Sequence, residues 1–137
     1  MHQQILVATV EEAKFIDNKI DEFINAKVAF THEIVIKNYV IKENDLIIAG
    51  INSDIYYWGI LYVGVLFVHE GYRGKGLGSQ LLAQVEANAK EMGARMAHLD
   101  TFDFQAKDFY LKHGYEIFGT LKDFPEGQKR YYLSKKL

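Results

Sequence analysis

The chain has 137 residues, 49% of them hydrophobic and 25% charged, and a formal net charge of -2. This composition suits a single soluble globular domain over residues 1–137; it excludes a disordered chain and gives no general reason to expect nucleic-acid binding. With no cysteine, disulfides, thiolate metal sites and a cysteine nucleophile are excluded, and the N-terminal MHQQILVATVEEAK lacks the basic leader and apolar length of a signal peptide or membrane span, so a cytoplasmic protein with no membrane partner is expected.

Residues 4–10 alternate weakly, as an initial strand would, and Thr9 followed by Glu12 has the spacing of a capping box. Ala13, Ile16, Ile20, Phe23, Ile24 and Val28 then recur at helical spacing and predict an amphipathic helix. The β-branched residues of 33–41 predict a strand, Glu43-Asn44-Asp45 a turn, 46–51 another strand and Asn52-Ser53-Asp54 a second turn. Ile55 to Trp58 leads into the apolar run 61–68, so an antiparallel meander feeds a central strand expected to be buried on both faces. Gly59 and Gly64 interrupt that run, where a glycine either marks a bulge or merely eases packing.

After the loop 69–75 a helix is predicted, with Leu77, Leu81, Leu82, Val85, Ala89 and Met92 on one side and Gly93 at its end. A strand at 95–100 would lie parallel to the first, giving one βαβ unit. A further helix over 105–113 stops at Gly114, and strands at 117–121 and 129–133 form a hairpin around Pro125 and Gly127.

The informative stretch is the junction of apolar strand and helix, where Gly74, Gly76 and Gly78 alternate with Lys75 and Leu77. Backbone without Cβ atoms turns tightly, and the first N–H groups of a helix have no intrahelical acceptor. An anion such as a pyrophosphate suits that turn, with Arg73 and Lys75 adding formal charge. A tight turn with solvated basic residues explains the same letters. A P-loop is excluded because Leu77 and Gly78, rather than Lys and Ser or Thr, follow Gly76; the evenly spaced glycines fit a dinucleotide fingerprint poorly.

Arg73, Gly76 and Gly78 resemble motif A of the GCN5-related N-acetyltransferases, the GNAT family. Ala106, Tyr110, Gly114 and Tyr115 are similar to that family's second pattern, in the right order downstream. The resemblance implies an α/β (α+β) fold: a mixed, mainly antiparallel central sheet with one βαβ unit and helices on both faces. It implies acetyl-CoA as co-substrate and no metal. The cofactor-binding residues it implies are Leu66, Phe67 and Val68 on an open strand edge; Arg73, Gly74, Lys75, Gly76, Leu77, Gly78 and Ser79 in the loop; and Asp103 or Gln105. Asp103 stands where many members carry Asn, which puts that contact in question. Tyr110 falls where the family places the acid that protonates departing CoA thiolate.

The implied reaction is direct transfer of acetyl to a primary amine, on a small molecule or a peptide, by a monomer or a homodimer. Its general base is open: 61–68 contains no carboxylate, leaving a water chain, Glu70, His32 or Asp100. Tyr56, Tyr57, Trp58 and Phe30 with Asp21, Glu22 and Asp54 read either as an aromatic, acidic pocket for a cationic amine or as surface aromatics and solvated acids. His98 and His113 read as structural or exposed, and Lys107 and Lys112 as either a solvated helix face or a 3′-phosphate contact. A non-catalytic acyl-CoA-binding protein of the same fold and a dinucleotide-binding module are the rival readings.

Overall fold

A computed structural model describes residues 2–137. Two compact units are present, Met1–Phe30 and Thr31–Leu137.

The first unit is built on helix α1 (Val10–Lys27). Thr9 Oγ1 accepts from the Glu12 N–H at 3.1 Å and the Glu12 carboxylate accepts from the Thr9 N–H at 2.9 Å, so the expected capping box is formed. Those bonds to Thr9 hold the Glu12 carboxyl below its usual range. Among the described residues no strand precedes it. An extended segment needs a neighbour to pair with, and the capping box instead commits the chain to helix from Val10.

The second unit is a mixed, mainly antiparallel sheet of seven strands. Its elements are β1 (Val35–Ile36), β2 (Tyr39–Glu43), β3 (Leu46–Tyr56), β4 (Ile60–Val68), α2 (Leu77–Glu91), β5 (Met96–Phe102), α3 (Lys107–Lys112), β6 (Glu116–Lys122) and β7 (Lys129–Lys136). The strands run β1-β3-β4-β5-β7-β6, with β2 also paired to β3. Only β4 and β5 are parallel, as their helical connection requires. The terminal hairpin inserts β7 between β5 and β6.

The meander differs from its sequence reading in three places. The strand predicted over 33–41 is broken into β1 and β2, both pairing with β3. Asn52-Ser53-Asp54 is strand interior rather than a turn. Its polar groups are absorbed by the break opposite: the Ser53 hydroxyl donates to Lys37 O at 2.5 Å, and the Ser53 N–H to Asn38 Oδ1 at 3.0 Å. Gly59 lies in the β3–β4 turn, not in a strand, with φ of +80°.

Gly64 does mark a bulge: Ser53 pairs with Val63 and Asn52 with Val65, leaving Gly64 as the extra residue. β4 is also not buried on both faces. Leu61 and Val63 face the core, whereas Val65 and Phe67 are 54% and 46% exposed.

Helix α2 buries Leu81, Leu82, Val85 and Ala89 against Ile51, Ile55, Leu61, Val63, Leu99 and Leu133. Each large aliphatic side chain removed from water there contributes about 1.5–3 kcal/mol. The helix ends as expected, with Gly93 at φ of +82°. At the edge of this core the Tyr115 hydroxyl donates to Glu86 at 2.7 Å and Lys135 donates to the same carboxylate at 2.9 Å. Among the described residues no helix is long and apolar enough to cross a membrane.

Candidate active site

The parallel ladder between β4 and β5 stops at Val63–Leu99. Beyond it β4 continues to Val68 paired only with β3, and β5 continues to Phe102 paired only with β7. The two strands therefore diverge, and the last residues of β4 present an open edge. A groove of about 520 Å³ occupies this wedge. Leu66, Phe67 and Val68 line one side; Tyr72, Arg73, Gly74, Gly76, Leu77, Gly78 and Ser79 line the floor; Phe104, Gln105, Ala106, Phe109 and Tyr110 close the other side.

The floor is shaped by its glycines. Gly74 and Gly76 have φ of +78° and +81°, and a Cβ on either would point into open space. Gly76 is the N-cap of α2, and the first helical bond runs from the Gln80 N–H to Gly76 O. The N–H groups of Leu77, Gly78 and Ser79 thus have no acceptor within the helix and stand at its positive end. Gly78 serves a different need, since a Cβ there would meet the Phe109 ring at 3.4 Å and Val68 at 3.6 Å. Arg73 Nε donates to Val68 O at 3.1 Å, tying the loop to the end of β4.

Lys75 is not part of the groove wall; its ammonium lies 5.3 Å from the Tyr72 ring centroid. Asp103 is also turned elsewhere: its carboxylate accepts from the Lys129 N–H at 3.0 Å, and its own N–H donates to Lys129 O at 2.9 Å. That carboxylate anchors the start of β7, so the expectation of a cofactor contact at Asp103 is corrected. Gln105 does line the groove, with Oε1 accepting from the Phe102 N–H at 2.9 Å.

Tyr110 projects from α3 into the wedge and is 5% exposed. Its ring meets Phe109 and Tyr115 edge-on. Burial, aided by the charge of Asp100, pushes its phenol up to about 12, so it holds its proton throughout the neutral range. Among the described residues its hydroxyl is in no hydrogen bond and its oxygen is not a buried, unpartnered atom, which leaves it addressed to the groove.

Side chains that alternate out of the core line the other face of the sheet. There Ile34, Asp54, Tyr56, Tyr57, Tyr62 and His98 surround a depression of about 330 Å³. The Tyr56 hydroxyl is 2.8 Å from His98 Nε2, and the Tyr62 hydroxyl donates to Asp100 Oδ2 at 3.3 Å. Arg130 holds the other oxygen of Asp100. Burial lowers the His98 imidazole, against the pull of Asp100 and Asp54, and raises the Asp54 carboxyl. The predicted acceptor residues are therefore divided. Asp54, Tyr56 and Tyr57 come together; Trp58 stacks edge-on against Tyr57; Asp21, Glu22 and Phe30 line a separate hollow within the Met1–Phe30 unit.

Sequence reasoning missed Tyr62, although its place between Leu61 and Val63 on an alternating strand is a usable signal. Of the candidate bases, His32 has one ring nitrogen 2.8 Å from Thr31 Oγ1 and the other 2.5 Å from Met92 O. Asp100 is engaged by Arg130 and Tyr62, and Glu70 is exposed in the 3₁₀ turn Glu70–Tyr72 outside the groove lining. His113 Nε2 is 2.9 Å from Ser79 Oγ, and Lys107 lies over Tyr131 and beside Asp108. Among the described residues no group of three His, Cys, Asp or Glu side chains could hold a metal ion.

The family model described as Acetyltransferase (GNAT) domain matches residues 36–117, well over half of the chain and including the open edge, the glycine loop and α3. The chain belongs to the GNAT acetyltransferase family. This is a family of acyltransferase enzymes, and the relatives of the chain are named as acetyltransferases. A blasticidin-S acetyltransferase of Streptomyces morookaense is 42% identical over 81 residues, 58% of this chain and 60% of that protein. The chain thus matches about 60% of the length of that curated relative. Similarity of fold extends further: a crystal structure of an acetyltransferase from Bacillus cereus ATCC 14579 has a TM-score of 0.90 at 34% identity, covering 98% of both chains. A crystal structure from Bacillus anthracis str. Ames, described as a streptothricin acetyltransferase in complex with acetyl coenzyme A, shares the fold. Its TM-score is 0.66 at 24% identity, over 74% of this chain and 62% of that one.

Proposed function

We propose that this single chain moves the acetyl group of acetyl-CoA to a primary amine, the two substrates reacting directly while both are bound. One observation carries the reading. The open edge of β4 runs straight into a helix N-terminus whose two left-handed glycines leave room for a guest, and a buried, protonated tyrosine faces the same wedge.

The residues present fit acetyl-CoA. The N–H groups of Leu77, Gly78 and Ser79 suit a pyrophosphate, with Arg73 beside them, and the unpaired edge at Leu66, Phe67 and Val68 suits an amide-bearing arm. When bound, acetyl-CoA supplies an acyl group activated as a thioester. An N–H of that edge, near Phe67 or Val68, meets the negative charge that grows on the carbonyl oxygen. The amine nitrogen bonds to the acyl carbon and gives up a proton to water. The carbon–sulfur bond breaks, and the sulfur takes the proton of Tyr110, which solvent replaces. No cysteine is present to carry the acetyl group on the way.

Calorimetric titration with acetyl-CoA, with NAD and ATP as parallel titrants, tests the donor assignment. Saturable binding of acetyl-CoA alone, lost in an Arg73→Ala, Gly76→Ala double variant, is the expected result. Binding of NAD in its place would overturn it. Free-thiol release with amines then tests transfer; residual turnover untouched by Tyr110→Phe would point to an acyl-CoA-binding protein instead.

A further inference from the structure

The depression around Asp54 is on the sheet face away from α2 and contributes nothing to the donor groove. Three phenol rings and an imidazole wall a single carboxylate. The neighbouring acid, Asp100, is already neutralised by Arg130. Asp54 is different: among the described residues its carboxylate is in no ion pair and no side-chain hydrogen bond. Burial strips water from it, with only His98 working in the other direction, so its carboxyl sits above the usual range. A half-dry carboxylate without a counter-charge gains most from an incoming cation, and the faces of Tyr56, Tyr57 and Tyr62 favour a cationic guest over a neutral one.

The walls are held in place. Tyr56 is bonded to His98, Tyr62 is bonded to Asp100, and the Tyr62 and His98 rings lie 5.0 Å apart. The position relative to the wedge is fixed by register. Asp54 is opposite Tyr62, and Tyr62 immediately precedes Val63, the last β4 residue paired with β5. The carboxylate therefore stands about one strand residue, about 3.3 Å of rise, short of the point where the donor edge opens.

We infer that the Asp54 depression is an anchoring subsite for a second cationic group of the acceptor, so that the preferred acceptors are diamines or larger polycations rather than monoamines. This rests on the acetyl-transfer reading and narrows its substrate class. One nitrogen of such an acceptor is held at Asp54 as an ammonium; the other reaches the wedge and is the one acetylated.

The test is calorimetry of the full chain with α,ω-diaminoalkanes and n-alkylamines of matched length, followed by their relative kcat/KM with acetyl-CoA. Diamines are expected to bind more tightly than monoamines. Asp54→Asn should weaken diamine binding about 10- to 100-fold and collapse the diamine-to-monoamine ratio. Asp54→Glu should retain most of the preference. Acetyl-CoA titration of each variant controls for folding, and the His98 ring signals should move on diamine addition. Equal binding of monoamines and diamines by the unmodified chain, or an Asp54→Asn variant with the same preference, would overturn the assignment. Diamine binding that depends on Asp54 in a protein with no affinity for acetyl-CoA would sink the donor reading and leave the subsite standing.

Discussion

Arg130 donates two guanidinium nitrogens to one oxygen of Asp100, at the first β5 residue beyond the last bond to β4. The same guanidinium lies 5.2 Å from the ring centroids of both Phe102 and Phe124. Arg130→Ala would leave a half-buried carboxylate with only Tyr62 as partner. The expected loss is about 1.5–3 kcal/mol, read from urea unfolding. Arg130→Lys should recover only part of it, because an ammonium cannot reproduce the planar fork or its stacking. A loss within error of zero would show that the Arg130–Asp100 pair does not stabilise the fold.

Tyr110→Phe keeps the ring packed against Phe109 and Tyr115 and removes one proton. Acetyl-CoA affinity should change little, while kcat falls about 10²- to 10⁴-fold. The alkaline stability should change as well. The phenol titrates near 10 in the unfolded chain and at about 12 when folded, so its contribution is complete below about pH 10 and is lost as pH rises through about 12. Denaturant midpoints measured across that window should fall less steeply in Tyr110→Phe than in the parent.

The glycines of the loop should not respond alike. Gly76→Ala places a side chain in the left-handed region and should cost about 1–2 kcal/mol, together with a weaker acetyl-CoA isotherm. Gly78→Ala carries no such backbone strain, but its methyl would press on Phe109 at 3.4 Å. Its thermal midpoint should therefore fall less than that of Gly76→Ala. Equal shifts would refute the distinction.

Asp103→Ala separates an anchoring role from a binding one. Removing the acceptor of the Lys129 N–H should lower stability by about 1 kcal/mol without altering acetyl-CoA binding. A loss of affinity larger than the loss of stability would return Asp103 to the donor site.

Elements with strong local signals were legible in the sequence: the Thr9–Glu12 capping box, the apolar stripe of α2, and the glycine turn before it. The wedge was legible only through resemblance, because nothing local to Leu99 or Val63 announces that their ladder ends there. Asn52-Ser53-Asp54 misled for a related reason. Three turn-prone letters are compatible with strand when Lys37 and Asn38, in the break between β1 and β2, satisfy the polar groups of Ser53, and that partner is distant in sequence. Asp103 was misplaced because its partner, Lys129, belongs to a strand that arrives late in the chain and inserts beside β5. The Asp54 depression was half visible: its aromatic letters are adjacent, but Tyr62 and His98 reach it only through strand register.

The extra residue at Gly64 acts as a parity switch on β4. Before it, odd-numbered residues face the core, opposite odd-numbered residues of β3: Leu61 against Ile55, Val63 against Ser53. After it, even-numbered residues do so: Leu66 against Ile51, Val68 against Ala49. One strand thus obeys two opposite alternation rules, and the change falls within one residue of the end of its ladder with β5. Drawing Gly64 into regular pairing opposite Asn52, with no residue removed, would make the first rule run to the end. Val65 and Phe67 would then turn inward, Leu66 and Val68 outward, and the donor edge would present the wrong set of N–H groups without a single contact residue having been replaced.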